Sequence, residues 1–153
     1  MNNNDILRRL RYTFNLNDTK MMELFAEGAM PANREQISDW LKKEDDPAYK
    51  PIYDIDLAAF LNGFIILKRG KKDSETPKPE KSLNNNTILR KIKIALNLKD
   101  EDILAILELA DFRFSRHELS ALFRKSDHEQ YRDCKDQMLR NFLMGLQLKF
   151  QPK

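Results

Sequence analysis

Apolar side chains recur every three or four positions in four stretches of the first half of the chain, which is the spacing of one helix face. This pattern predicts helices over residues 5–14, 18–27, 34–43 and 55–68. The first stretch shows it clearly, because Ile6, Leu7, Leu10 and Phe14 fall on one side of a helix. The fourth stretch is the most hydrophobic, and we expect it to lie at the centre of a core.

The whole pattern returns in the second half of the chain. Residues 2–18 read NNNDILRRLRYTFNLND and residues 84–100 read NNNTILRKIKIALNLKD, and this offset of 82 residues holds without a gap to the end. A self-match at a fixed period indicates an internal repeat. The predicted fold is therefore all-α, a tandem duplication of a four-helix unit packed about a pseudo-twofold axis. The predicted domains are residues 1–68 and 84–153, and residues 69–83, rich in charge, Ser and Pro, form the linker.

Polar residues mark most of the predicted helix ends. Asn3 or Asn4 is the expected N-cap of the first helix, Asp18 that of the second and Asp54 that of the fourth. Asn15 suits the left-handed position after a helix. The first Asn of each triplet has no predicted role.

The third helix of each repeat is expected to begin with a capping box, formed by Asn33 with Gln36 and by Ser115 with Glu118. Lys42 and Lys43 then lie in its last turn, where cations complement the helix dipole. The loop that follows contains two prolines in the first repeat. Its counterpart, SDHEQYRDCK, has none, and we expect it to be partly helical.

A glycine occupies the same place in the fourth helix of both repeats, Gly63 in FLNG and Gly145 in FLMG. Glycine inside a helix costs ~1 kcal/mol relative to alanine. A packing gain must offset that cost, so we expect a close helix crossing at both glycines.

Composition narrows the class of protein. The 27 basic and 24 acidic residues give a net charge of +3, without the concentrated basic field of a non-specific nucleic-acid binder. No apolar run approaches the ~18 residues of a membrane span. Cys134 is the one cysteine, which excludes an intramolecular disulfide and fits a reducing compartment. We expect a cytoplasmic protein with no membrane partner.

No catalytic or metal-binding pattern is found. His117, His128 and Cys134 are spaced by 11 and 6 residues, which matches no zinc motif. Cys134 aligns with Ile52 of the first repeat, so a small buried hydrophobic side chain is the better interpretation. The four glycines form no phosphate-binding loop. We therefore expect no enzyme activity, no metal and no cofactor.

The first three helices of each repeat resemble a helix-turn-helix arrangement, in which the third helix would read DNA bases. The connection before the third helix is longer than the usual turn of such motifs. Phosphate contacts would come from the first helix of each repeat, that is from Arg8, Arg9, Arg11, Arg90, Lys91 and Lys93. Base contacts would come from the third, that is from Arg34, Glu35, Gln36, Ser38, Arg116, His117, Glu118 and Ser120.

The repeated NNNxILRxxR, the WLKKED stretch and the FLNG before KRGK, together with DILAIL, YRDC and FLMG in the second repeat, resemble the bacterial YehS-like family, a domain of unknown function (DUF1456). The resemblance covers essentially the whole chain and implies a duplicated bacterial protein of about this length. It implies no activity, substrate or catalytic residue.

Two functions are compatible with the sequence. The first is a non-catalytic helical module that binds another protein. The alternative is a helix-turn-helix-like protein that binds DNA. Duplication and helix pattern are common to both, so the sequence alone does not separate them.

Overall fold

The structure is a computed structural model that describes residues 1–70 and 77–151 of the 153-residue chain. Within these residues it contains eight helices and no strand. The first repeat holds α1 (Asn3–Thr13), α2 (Asp18–Glu27), α3 (Arg34–Leu41) and α4 (Asp54–Arg69). The second holds α5 (Asn85–Leu96), α6 (Asp100–Leu109), α7 (Arg116–Leu122) and α8 (Asp136–Phe150). The predicted all-α tandem duplication is confirmed, while the pseudo-twofold packing stays a prediction.

The chain divides into two compact units, Met1–Leu83 and Asn84–Lys153. Much of the predicted linker, residues 71–76, lies outside the described residues. The end of that linker is attached to the first unit, because the Leu83 amide donates a hydrogen bond of 2.8 Å to Asp54 Oδ2.

The fourth helix of each unit lies at the centre of its core, as its hydrophobicity predicts. Phe60 of α4 and Phe142 of α8 occupy equivalent positions and are fully buried. In the first unit Phe25 packs against both Phe60 and Trp40, with ring centroids 5.4 and 5.3 Å apart. Burying such a side chain stabilises a fold by roughly 1.5–3 kcal/mol. Each unit therefore has its own core, which is built around α4 in the first unit and around α8 in the second.

The helix crossings at Gly63 and Gly145 are close, as predicted. A Cβ atom built on Gly63 would lie 1.9 Å from the Leu24 carbonyl oxygen of α2. One built on Gly145 would lie 2.1 Å from the Ile106 carbonyl oxygen of α6. Gly28 is equally tight, since its Cβ would lie 1.8 Å from the Ala59 carbonyl oxygen. The backbones of the second and fourth helices thus touch within each unit.

The asparagine triplets begin their helices one or two residues earlier than predicted. Asn2, not Asn3 or Asn4, is the N-cap of α1, and its Oδ1 accepts the Asp5 amide at 2.9 Å. Asn84 caps α5 in the same way through the Thr87 amide, at 2.8 Å. This leaves the other two asparagines of each triplet free for contacts outside their own helix.

The second asparagine connects the first and fourth helices. Asn3 Nδ2 donates to the Asp54 carboxylate at 2.7 Å. Asp54 is therefore a partner for α1 and the first residue of α4, rather than the predicted N-cap. The prediction for α2 also shifts by one residue, because Asn17 is its N-cap instead of Asp18. The capping boxes of α3 and α7 and the left-handed Asn15 are confirmed.

The third asparagine is buried and holds the loop before the fourth helix. Asn4 Nδ2 donates to the carbonyl oxygens of Trp40 at 2.9 Å and Lys50 at 2.8 Å. Asn4 Oδ1 accepts from the Ile52 amide at 3.2 Å and from the Tyr49 hydroxyl at 3.1 Å. One side chain thus supplies partners that the irregular backbone of this loop lacks.

Two local predictions about α3 and the loop after it are wrong. The helix ends at Leu41, so Lys42 and Lys43 lie beyond it. The SDHEQYRDCK loop contains turns and no helix, as does the proline-containing loop of the first unit. Asn86 is the reason, because it bonds to Leu122 O, Arg132 O and the Cys134 amide at 3.0, 2.9 and 2.8 Å.

Candidate interaction surface

The arginines of the first helices act inside their own units. Arg8 donates to the Lys42 carbonyl oxygen at 2.8 Å and also pairs with Asp5. Arg90, its counterpart, donates to the Phe123 carbonyl oxygen at 3.0 Å. The last carbonyls of a helix have no partner within the helix. Arg8 and Arg90 therefore stabilise the C-terminal ends of α3 and α7.

The remaining basic residues of α1 and α5 also have neighbours in the fold. The Lys93 ammonium lies 4.2 Å from the Phe123 ring centroid and 3.6 Å from the Asp100 carboxylate. Arg11 is half-buried, with its Nε atom shielded from solvent. Two further predicted phosphate contacts are half-buried and have interaction partners, namely Arg9 and Lys91.

The predicted base-reading residues lie at the opposite end of α3 and α7. Arg34 and Gln36 are exposed in the first turn of α3, and the Gln36 side chain accepts the Asn33 amide at 2.9 Å. An eight-residue helix is roughly 12 Å long. Arg8 therefore contacts the C-terminal end of α3, whereas Arg34 lies in the first turn of that helix. The structure does not gather them around one point.

In the second unit the same end of the helix is shared with carboxylates. Arg116 lies 4.0 Å from Asp100 and 3.7 Å from Glu101, at the start of α6. His117 is exposed beside it. The positive charge that would meet a phosphate is thus partly compensated. Six residues separate α2 from α3, and six separate α6 from α7, against the usual three or four of a helix-turn-helix.

An open depression lies between α6 and α7, and sequence reasoning missed it. This α6–α7 groove has a volume of about 660 Å³. Its apolar lining comes from Leu104 of α6 and from Phe112 and Phe114 of the connection to α7. The two phenylalanine rings are stacked, with centroids 5.9 Å apart and planes at 28°. An aromatic pair thus forms one wall of an open groove.

The conformation of the connection places these two rings. Asp111 adopts a left-handed backbone with φ of 56°, and the Phe112 amide then donates to the Leu107 carbonyl oxygen at 3.0 Å. This closes α6 in the manner of a Schellman motif. The chain turns there, and Phe112 and Phe114 become half-buried instead of entering the core.

Carboxylates surround the aromatic wall. Glu108, Asp111 and Glu118 line the groove together with Arg113, its one basic residue. Glu118 also serves in the capping box, where one of its oxygens accepts the Ser115 amide at 3.0 Å. The lining residues thus carry three negative charges and one positive charge.

The equivalent surface of the first unit is uncharged. The residues at the same repeat positions are Met22, Ala26, Ala29, Met30, Pro31, Ala32, Asn33 and Gln36. The sequence signal for the groove was therefore a difference between the repeats, with two phenylalanines and three carboxylates where the first repeat has small or flexible neutral side chains. The two repeats thus differ in the chemistry of this surface, although the backbone is left-handed at both Ala29 and Asp111.

Cys134 has the surroundings of a structural residue. Its side chain is 5% exposed and lies 3.6 Å from the Met138 sulfur. Burial, with a contribution from the Asp136 carboxylate, raises the pKa of the Cys134 thiol from 9.0 to about 12. A thiol nucleophile needs a lowered pKa. Within residues 1–70 and 77–151 no three His, Cys, Asp or Glu side chains cluster as metal ligands would.

No helix in the described parts of the chain is long and apolar enough to cross a membrane.

No solved structure matches the chain. The protein described as "Uncharacterized protein YehS" from Escherichia coli (strain K12) is 46% identical over 147 residues, which cover 95% of this chain and 94% of that relative. The family described as "Protein of unknown function (DUF1456)" matches residues 3–70 and 85–151, once in each repeat. The chain therefore belongs to the DUF1456 family, as its repeated motifs indicate.

Proposed function

We propose that this protein is a non-catalytic, cytoplasmic helical module that binds another protein through the α6–α7 groove. The observation that carries the proposal is the stacked Phe112–Phe114 pair on the wall of an open groove. Aromatic side chains are enriched at protein interfaces and supply much of their binding energy. The closing turn of α6 does not require aromatic side chains, so the two phenylalanines outside the core need another explanation.

The difference between the repeats supports the same function. In both units the second and fourth helices form the core, and a buried asparagine holds the loop before the fourth helix. Only the second carries phenylalanines at positions 112 and 114, where the first has Met30 and Ala32. Since the fold forms without aromatic residues there, their role is better assigned to binding than to stability.

The proposal is tested by site-specific photocrosslinking in the native cells. A photoreactive amino acid replaces Arg113, which is exposed at the groove, and in a control variant it replaces Gln130, which is exposed on the loop after α7. We expect a discrete protein adduct from position 113 that disappears when Phe114→Ala is added. An absence of adducts, or equal adducts from both positions, contradicts the proposal.

DNA binding is the alternative, and it has a separate test. A labelled duplex is titrated with the full chain at about 50 and 200 mM salt, a range over which phosphate-driven affinity falls steeply. We expect no binding that depends on Arg34 and Arg116. Salt-sensitive binding that is lost in the Arg34→Ala and Arg116→Ala double variant supports the DNA alternative over protein binding.

A further inference from the structure

The α6–α7 groove combines an aromatic wall with an excess of negative charge. Leu104, Phe112 and Phe114 supply apolar surface, and Glu108, Asp111 and Glu118 supply carboxylates at its edges. Among the described residues, Glu108 and Asp111 form no ion pair with a basic side chain. Their charge is available to a molecule that enters the groove.

The chemistry of this lining selects a cation with an apolar neighbour. Arginine is well suited, because its planar guanidinium stacks on aromatic faces and donates to carboxylates at the same time. A phosphate backbone is disfavoured, since three carboxylates would repel it. We propose that the occupant of the groove is a segment of a partner protein in which arginine or lysine stands beside an aliphatic or aromatic residue. This inference rests on the proposed protein-binding function and names its ligand class.

Three isosteric substitutions remove the negative charge with little change in structure. Glu118→Gln keeps a carbonyl oxygen for the Ser115 amide, so the capping box of α7 survives. Asp111→Asn suits the left-handed backbone at φ of 56°. Glu108→Gln keeps the size of an exposed side chain on α6. The triple variant E108Q/D111N/E118Q therefore tests charge rather than folding.

A matched control changes the net charge equally at a distance from the groove. Asp127, Glu129 and Asp133 are exposed on the loop after α7 and do not line the groove. The variant D127N/E129Q/D133N thus separates a local effect of the groove from a general effect of net charge.

The probe is a displayed library of random dodecapeptides, selected on the full-length wild-type chain and on both triple variants. We expect the wild type to select peptides enriched in arginine or lysine next to apolar residues. The groove variant should lose this enrichment, and a selected peptide should bind it about tenfold more weakly, as expected for the loss of three surface ion pairs. The control variant should keep both the enrichment and the affinity.

Three results overturn the inference, and they differ in what they say about the proposed function. Selection of neutral or acidic peptides that require Phe114 contradicts a cationic ligand and leaves protein binding at the groove standing. Failure to select any peptide, together with no adduct from position 113, contradicts both. Equal loss of binding in the groove variant and the control variant also overturns the inference, because net charge alone then explains the selection.

Discussion

At the scale of single residues, asparagine side chains replace the regular backbone pairing that an irregular loop lacks. Asn4 and Asn86 are 1% and 6% exposed, and each joins the end of the third helix to the loop before the fourth. Buried backbone groups without partners are costly, so each of these side chains protects several of them. The first asparagine of each triplet caps its helix, and Asn2 also donates a hydrogen bond of 2.6 Å to Glu44.

We predict that Asn4→Ala or Asn86→Ala destabilises the protein by more than about 3 kcal/mol, because two carbonyls and an amide are left unpaired in a buried site. Asn84→Ala removes only an exposed cap and should lower the free energy of unfolding by ~1 kcal/mol. Urea unfolding followed by circular dichroism measures both. Similar losses for Asn84 and Asn86 would contradict the assigned roles.

Cys134 gives a pH-dependent prediction. Its thiol pKa is raised from 9.0 to about 12, so between these pH values the unfolded chain loses a proton that the folded chain keeps. Deprotonation then favours unfolding, and the free energy of unfolding should fall as pH rises from about 9 towards 12. Cys134→Val should fold with a loss below ~1.5 kcal/mol and show a smaller fall.

The measurement compares urea unfolding of the wild type and Cys134→Val at several alkaline pH values. The difference between the two proteins isolates the thiol from the lysines and tyrosines that titrate in the same range. Identical pH dependence would show that the thiol is not shielded in the folded protein.

At the scale of helices, the crossing of the second and fourth helices decides how each unit packs. Gly28 has φ of −81°, so its conformation does not require glycine. Its role is the close approach of α2 to the Ala59 carbonyl oxygen. The second unit has Ala110 at the equivalent position, so it accommodates a Cβ atom at this end of the crossing. By contrast, the position of Gly63 in the first unit is also a glycine, Gly145, in the second.

We predict that Gly63→Ala and Gly145→Ala each destabilise the protein by at least about 1–3 kcal/mol, because a methyl group would overlap a backbone carbonyl of the facing helix. Helix propensity alone would give the opposite sign, a gain of ~1 kcal/mol. Chemical denaturation decides between them. Arg140→Ala, at an exposed site inside α8, is the control and should change stability by less than about 0.5 kcal/mol.

At the scale of the whole molecule, the same four-helix unit occurs twice, and one of the surfaces on which the two copies differ is the α6–α7 groove. Both copies keep the buried loop asparagine and the glycine of the fourth helix, while the groove carries aromatic and acidic side chains where the first unit has neutral ones. This difference in surface chemistry is what the proposed binding at the second unit requires. The first unit also extends beyond its fourth helix, to Leu83.

We predict that a fragment of residues 1–83 folds and is more stable than one of residues 1–70. The Leu83 amide donates to Asp54 Oδ2 at 2.8 Å, and that carboxylate also receives Asn3 of α1. Loss of one such bond costs about 1 kcal/mol. Circular dichroism during urea unfolding compares the fragments, with the full chain as reference. Equal midpoints would instead favour the domain end predicted at residue 68.

The sequence by itself determined the features that depend on near neighbours. Helical periodicity located the eight helices of the described residues within a few positions, because a helix face is defined by positions three and four apart. Capping boxes and the left-handed Asn15 were readable for the same reason, since their partners lie within one helical turn. Gly63 was informative because glycine is locally unfavourable there, so its presence required a tertiary cause.

The tertiary structure alone decided what depends on residues distant in the chain. Asn4 bonds to groups 36 to 48 residues away, and Arg8 bonds to a carbonyl 34 residues away, so no local pattern identifies either partner. The groove exists because the turn at Asp111 directs Phe112 and Phe114 outward while α7 folds back beside α6. Apolar residues in a connecting loop are equally consistent with a core or a surface. Only the path of the backbone separates the two, because it alone determines which side chains face solvent.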